Sequence, residues 1–201
     1  MHRAIIFDLG KVLIHFDFGI AYRSLEPLCP YPAAEIPKRL GTTDLVRRLE
    51  TGLIEPREFV TRACELLDLQ IDYEEFRRIF SCIFSDVLIP ESMLECLARR
   101  YRLILLSNTN ALHFPLLQEK YGHLLRHFHR HILSHEVRAM KPAPAIYQAA
   151  VDAAGCRAEE CFYTDDIALF VEAARALGID AVQFESCAQI ENELRARGIA
   201  W

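Results

Sequence analysis

The 201-residue sequence predicts an α/β fold, a doubly wound parallel sheet carrying an inserted helical cap. Three observations carry this expectation. Short, nearly continuous apolar runs recur along the chain, as strands buried on both faces require. Helical patterns separate the later runs. Roughly ninety residues lie between the first run and the second, far more than one crossover needs, so part of that span is an insertion.

The elements follow in order. Ala4 to Phe7 is the first strand, ending on Asp8 and turning at Gly10. The insertion is helical: Phe59, Val60, Ala63, Leu66 and Leu67 make one apolar stripe, and Tyr73, Phe76, Ile79, Phe80 and Ile83 make a second. Asp72 with Glu75 three residues on opens the second in the manner of a capping box. This places a cap at residues 17–86 and a core at residues 1–16 and 87–201. Strands are then expected at Leu103 to Leu106, Ile132 to Leu133, Cys161 to Tyr163 and Ala181 to Phe184. Helices are expected at Ala143 to Ala154, stopped by Gly155, and at Ile167 to Leu177, stopped by Gly178.

Composition narrows the setting. The 28 acidic residues exceed the 23 basic ones, so no global field draws nucleic acid or an anionic membrane to the chain. No apolar run approaches a membrane span, and the first residues lack a signal-peptide pattern, which suggests a cytoplasmic protein. Seven scattered cysteines, never spaced Cys-x-x-Cys, read as small core residues rather than a disulfide framework or zinc site. His127, His129 and His131 alternate as strand residues would, but no Cys or acid joins them, and they too read as structural. Oligomeric state leaves no mark in the sequence.

A doubly wound sheet binds its ligand outside the carboxyl ends of its strands, and each predicted strand end here is polar. The first carries Asp8, the second Ser107-Asn108-Thr109-Asn110, the third leads to Lys141, and the fourth carries Thr164-Asp165-Asp166. Taken singly, each has an ordinary reading: Asp165 and Asp166 suit a helix N-cap, and Ser107 to Asn110 suit a turn. Converging carboxylates would repel one another unless a divalent cation joined them, and magnesium is the natural candidate. A metal beside a carboxylate nucleophile, a hydroxyl and a lysine makes a site for attacking a phosphoryl group.

The segments "FDLGKVL", "LLSNTN", "MKPAPAIY" and "FYTDDIALFVEAARALGI", in that order, resemble the haloacid dehalogenase superfamily over nearly the whole chain. The cap phrase "LETGLIEPREF" further resembles its helical-cap subgroup that includes sugar-1-phosphate phosphatases. The resemblance implies a Rossmann-like core and a magnesium-dependent phosphatase acting on a small phosphorylated metabolite. It implies Asp8 as the nucleophile that becomes phosphoaspartate. Ser107 and the Asn108 backbone would hold the phosphoryl oxygens, Lys141 would neutralise charge, and Asp8, Gly10, Asp165 and Asp166 would bind magnesium. A metal-free 2-haloacid dehalogenase and a degenerate phospho-ligand-binding module are the alternatives, and the paired acids and the full residue set, respectively, argue against them. Two departures stand out. Gly10 occupies the position where many such phosphatases carry a proton-transferring Asp, which implies a steep dependence on leaving-group acidity. Leu169-Phe170 replaces a frequent Asp or Asn. His15 and Asp17, just after the motif turn, are further candidates for reaching the site.

Overall fold

The computed structural model describes residues 1–200. Its centre is a five-stranded parallel sheet in the order β5-β4-β1-β6-β7, built from β1 (Ala4–Phe7), β4 (Arg102–Ser107), β5 (Arg130–Leu133), β6 (Cys161–Asp165) and β7 (Asp180–Gln183). Side chains alternate across a strand, so each apolar run feeds two cores. Ile5, Phe7, Leu103, Leu105 and Phe162 enter one, packed under helices α6 (Glu91–Ala98), α7 (Phe114–Leu125) and α11 (Cys187–Ala196). Ala4, Ile6, Ile104, Leu106 and Tyr163 enter the other, beneath α9 (Pro144–Ala154) and α10 (Ala168–Ala176). Near-continuous hydrophobicity is thus the mark of strands covered on both faces. Gly155 (φ 66°) and Gly178 (φ 83°) end α9 and α10 in the left-handed region, where a glycine carries no Cβ penalty.

The chain leaves this core along β2 (Ile14–Phe16) and returns along β3 (Phe84–Val87), paired as an antiparallel ribbon. Between them lie α1 (Phe18–Leu25), α2 (Ile36–Gly41), α3 (Leu45–Glu50), α4 (Pro56–Leu67) and α5 (Tyr73–Phe80), which enclose an apolar cluster of their own around Phe59, Phe76 and Phe80. Both stripes read from the sequence occupy this cluster, with Leu66 and Tyr73 at its margin. Ile83 lies there too, but α5 has already ended at Phe80. Asp72 accepts from Glu75 N at 2.8 Å, the N-cap half of the expected box. The ribbon was not anticipated: its strands are three and four residues long, and Phe84–Val87 has no buried face to give it a period.

Several sequence expectations change here. Of the cysteines only Cys161 is fully buried, and Cys82 is exposed. Only His131 lies in a strand; it meets Leu125 O, His129 accepts from Leu103 N, and His127 pairs with Glu91. No helix is long and apolar enough to cross a membrane among the described residues.

The carboxyl-terminal helix is tied to the sheet edge through Asp180, which accepts from both Arg197 Nε (2.7 Å) and Nη2 (3.0 Å) and meets His2 Nε2 at 2.9 Å. Burial would raise the Asp180 carboxyl, but Arg197 and His2 outweigh it and hold it below its ordinary 3.8. A depressed carboxylate contributes stability above its unfolded pKa and loses it as pH falls through the folded one. Asp180→Asn is therefore expected to lower stability at neutral pH by roughly 1 kcal/mol, discounted for partial exposure. It should also flatten the loss below about pH 4, both measurable by chemical denaturation across pH.

Candidate active site

Register brings the polar strand ends together. Phe7 pairs with Leu105 on one side and Thr164 on the other, so Asp8 emerges between the ends of β4 and β6. The buried Lys141 ammonium bridges Asp8 Oδ1 at 2.7 Å and Asp165 Oδ2 at 2.6 Å. Asp165 is fully enclosed: Tyr163 OH also donates to Oδ2, and Ile167 N donates to Oδ1 at 2.9 Å. Asp166 is half-buried beside it, and ligand oxygens of Asp8, Asp165 and Asp166 all lie within 4.8 Å of one another.

The electrostatics follow from crowding. Burial, reinforced by Asp165, lifts Asp8 to about 7 against the pull of Lys141. Burial and Asp165 likewise raise Asp166. Desolvation alone would lower Lys141, but the two carboxylates outweigh it and hold the ammonium above its ordinary value. One ammonium does not balance three carboxylates, and a hard divalent cation with oxygen ligands fits the donor set that remains. The Gly10 carbonyl accepts no hydrogen bond from any described residue, which leaves it free as a fourth oxygen.

The loop after β4 is held from below. The Asn108 side chain closes on the Lys141 backbone in both directions, accepting from Lys141 N at 2.8 Å and donating to Lys141 O at 3.1 Å. Its side-chain amide is thus tied to the Lys141 backbone. Thr109 N donates to Ser134 Oγ, which donates back to Thr109 O. Asn110 Oδ1 accepts from Leu112 N and His113 N, starting the turn into α7. Ser107 lies at the end of β4, buried, and lines a cavity with Gly10, Asn108 and Phe16. A wider depression of about 760 Å³ between α5 and α7 contains none of these strand-end groups.

Other residues depart from their sequence readings. His15 is exposed and meets Ser85 across the ribbon, while Asp17 caps α1 by accepting from Gly19 N at 2.7 Å. Neither is committed to the strand-end cluster. Leu169 is solvent-exposed, and Phe170 sets its ring 5.1 Å from the Lys141 ammonium, putting an aromatic face where a polar contact was expected. Residues that the sequence reading passed over also line the cavity: Phe16, Phe18, His113 and the cap residue Glu50. His113 is buried between core and cap, bonded to Phe80 O at 3.1 Å and Asn110 at 3.4 Å, and burial lowers it to about 4. Only the "LETG" turn of the cap phrase pointed toward Glu50.

The model of the haloacid dehalogenase-like hydrolase family matches residues 2–178. The chain is 24% identical to a D-ribitol-5-phosphate phosphatase of Bacteroides thetaiotaomicron, covering 96% of this chain and 97% of that protein. Its structure superposes on an HAD-like family hydrolase of Porphyromonas gingivalis with a TM-score of 0.85 at 25% identity, covering 97% and 98% of the two chains. It also superposes on a Bacteroides thetaiotaomicron HAD family enzyme crystallised with magnesium and inorganic phosphate, with a TM-score of 0.80 at 24% identity and 92% and 96% coverage.

Gly10 has a steric reason as well as a chemical consequence. A Cβ there would lie 2.5 Å from Phe16 Cε1 and 2.9 Å from Cδ1, inside van der Waals contact, and Phe16 is itself packed against Phe18 and Phe84. An aspartate at position 10 therefore does not fit without moving that ring. Gly10→Ala is expected to cost about 1–3 kcal/mol as an overpacking change. Combined with Phe16→Ala it should cost less than the sum of the two single variants, a coupling that urea denaturation of all four proteins would measure.

Proposed function

The chain belongs to the haloacid dehalogenase-like hydrolase family, and on that premise we propose that it is a magnesium-dependent phosphatase that hydrolyses a small phosphate monoester through a phosphoaspartate on Asp8. The observation that carries this reading is the meeting of Asp8, Asp165 and Asp166 within 4.8 Å, with Lys141 joining two of them. Dehalogenation needs only a carboxylate that attacks carbon. A third acid crowded beside it would then only add repulsion.

In this reading Asp8, Gly10 O and Asp166, with Asp165, would hold magnesium. When bound, the ion supplies the positive charge that keeps Asp8 ionised and offsets charge on the phosphoryl oxygens. The Ser107 hydroxyl and the Asn108 N–H orient those oxygens, and Lys141 neutralises the charge shared between nucleophile and phosphoryl group. Asp8 attacks phosphorus as the ester bond breaks, and water then releases phosphate and restores the carboxylate. The core of residues 1–16 and 87–201 carries these groups, and the cap of residues 17–86 closes over the substrate. The named substrate of the Bacteroides relative supports a sugar or polyol phosphate as the class.

Two measurements test this. Asp8→Asn should still fold, because Asp165 keeps Lys141 paired, and lose phosphate release by at least about a thousandfold, since the amide neither attacks nor carries charge; comparable release from the folded variant would remove Asp8 as nucleophile. Chelation should abolish release and magnesium restore it, with Asp166→Ala raising the magnesium requirement more than Asp165→Ala. Asp165 is already engaged by Lys141, Tyr163 and Ile167, so its loss should act mainly on stability.

A further inference from the structure

We propose that Glu50, carried by the cap, is the acid that protonates the departing oxygen, the task that Gly10 cannot perform. The inference rests on the phosphatase reading above and adds a catalytic residue to it.

Three features of the structure support it. First, the cavity lined by Gly10, Ser107 and Asn108 of the core is also lined by Glu50, at the last turn of α3. Its remaining walls are chiefly apolar or amide-bearing, and its only titratable liners are Glu50 and His113. His113 is neutral at pH 7, with its Nε2–H donated to Phe80 O and its Nδ1 facing the Asn110 amide, so it has no acidic proton to spare. Second, Glu50 is held in place from the core. Two residues on, Gly52 adopts φ 64° and packs so closely on the His135 carbonyl that a Cβ would collide with it. His135 and Ser134 are bonded in turn to Thr109, in the loop that carries Ser107 and Asn108. The contacts thus run from the phosphate loop through His135 and Gly52 to the turn bearing Glu50. Third, no described residue donates to the Glu50 carboxyl or pairs with it, and burial alone lifts it to about 7. A carboxyl in that state keeps a useful fraction of its proton at neutral pH and gives it up readily.

The bookkeeping closes over the two steps. Asp8 forms a bond to phosphorus, the P–O bond to the alcohol breaks, and its electron pair takes the Glu50 proton. The products are the free alcohol, phosphoaspartate and a Glu50 carboxylate. That carboxylate then takes a proton from the water that attacks phosphorus. The P–O bond to Asp8 breaks, Asp8 keeps the electron pair, and inorganic phosphate leaves with Glu50 protonated again.

The test compares parent and Glu50→Gln in magnesium, under single-turnover conditions, across phosphate monoesters whose leaving groups range from 4-nitrophenol to simple alkanols. The glutamine preserves shape and lacks the proton. Release of 4-nitrophenol, which needs little protonation, should change by no more than a few-fold, while alkyl esters should slow about 100-fold or more. The steep leaving-group dependence implied by Gly10 alone then belongs to the variant, and the parent is flatter. If glutamine perturbs folding, Glu50→Ala with added formate replaces it, and formate should restore alkyl-ester turnover selectively. Equal losses across the series, a rise in KM alone, or no loss would overturn the proposal. The underlying reading is judged separately, by whether 4-nitrophenol release in the parent needs Asp8 and magnesium.

Discussion

One buried ammonium organises the active end of this molecule. Lys141 stands between Asp8 and Asp165 with almost no access to water, so it stays charged only because two carboxylates face it. Those carboxylates in turn are tolerable in the interior only because it is there. The three groups come from three separate segments, after β1, after α8 (Ser134–Val137) and at the end of β6. Their mutual need therefore fixes how those segments meet. Asn108, clamped on the Lys141 backbone, extends the same constraint to the end of β4. Asp166 is the charge left over, and it gives the arrangement its appetite for a cation.

Most of the groups that could be read from sequence share one property: they stand at, or one residue beyond, the end of a strand buried on both faces. An apolar run that stops on Asp8, Ser107 or Asp165 announces both its own end and the side of the sheet where its last residue emerges. Lys141 was legible less directly, through a lysine placed before a helix start where a cation is otherwise disfavoured. The cap helices were legible from their stripes, because helical period is local information. Phe16, His113 and Glu50 were not, since their relation to the site depends on how the cap is set against the core. That setting is made by contacts such as Gly52 on the His135 carbonyl, between residues far apart in the chain. The β2–β3 ribbon escaped for another reason, having too few residues and too little burial to carry a period.

Gly10 shows how a missing side chain can be read two ways. From sequence it is an absent acid. In the structure its missing Cβ is filled by the Phe16 ring, which joins Phe18 and Phe84 where ribbon and cap meet. The backbone turn beside Asp8 and the aromatic seam where ribbon and helices meet therefore share a boundary, so an acidic side chain cannot simply be placed at position 10.

The ribbon also sets how freely the segment between its strands can vary. Its two strands carry the backbone out of the core and back again side by side, with Ile14 facing Val87. Neighbouring strands lie about 5 Å apart, so from the core's standpoint the excursion begins and ends at nearly one point. Loop closure depends only logarithmically on what is strung between such points. A core built this way can exchange one insert for another, of different length and recognition surface, while its charge cluster stays as it is. The ribbon is in that sense a socket: what is strung across its rim can change in length while the charge cluster beneath keeps its geometry.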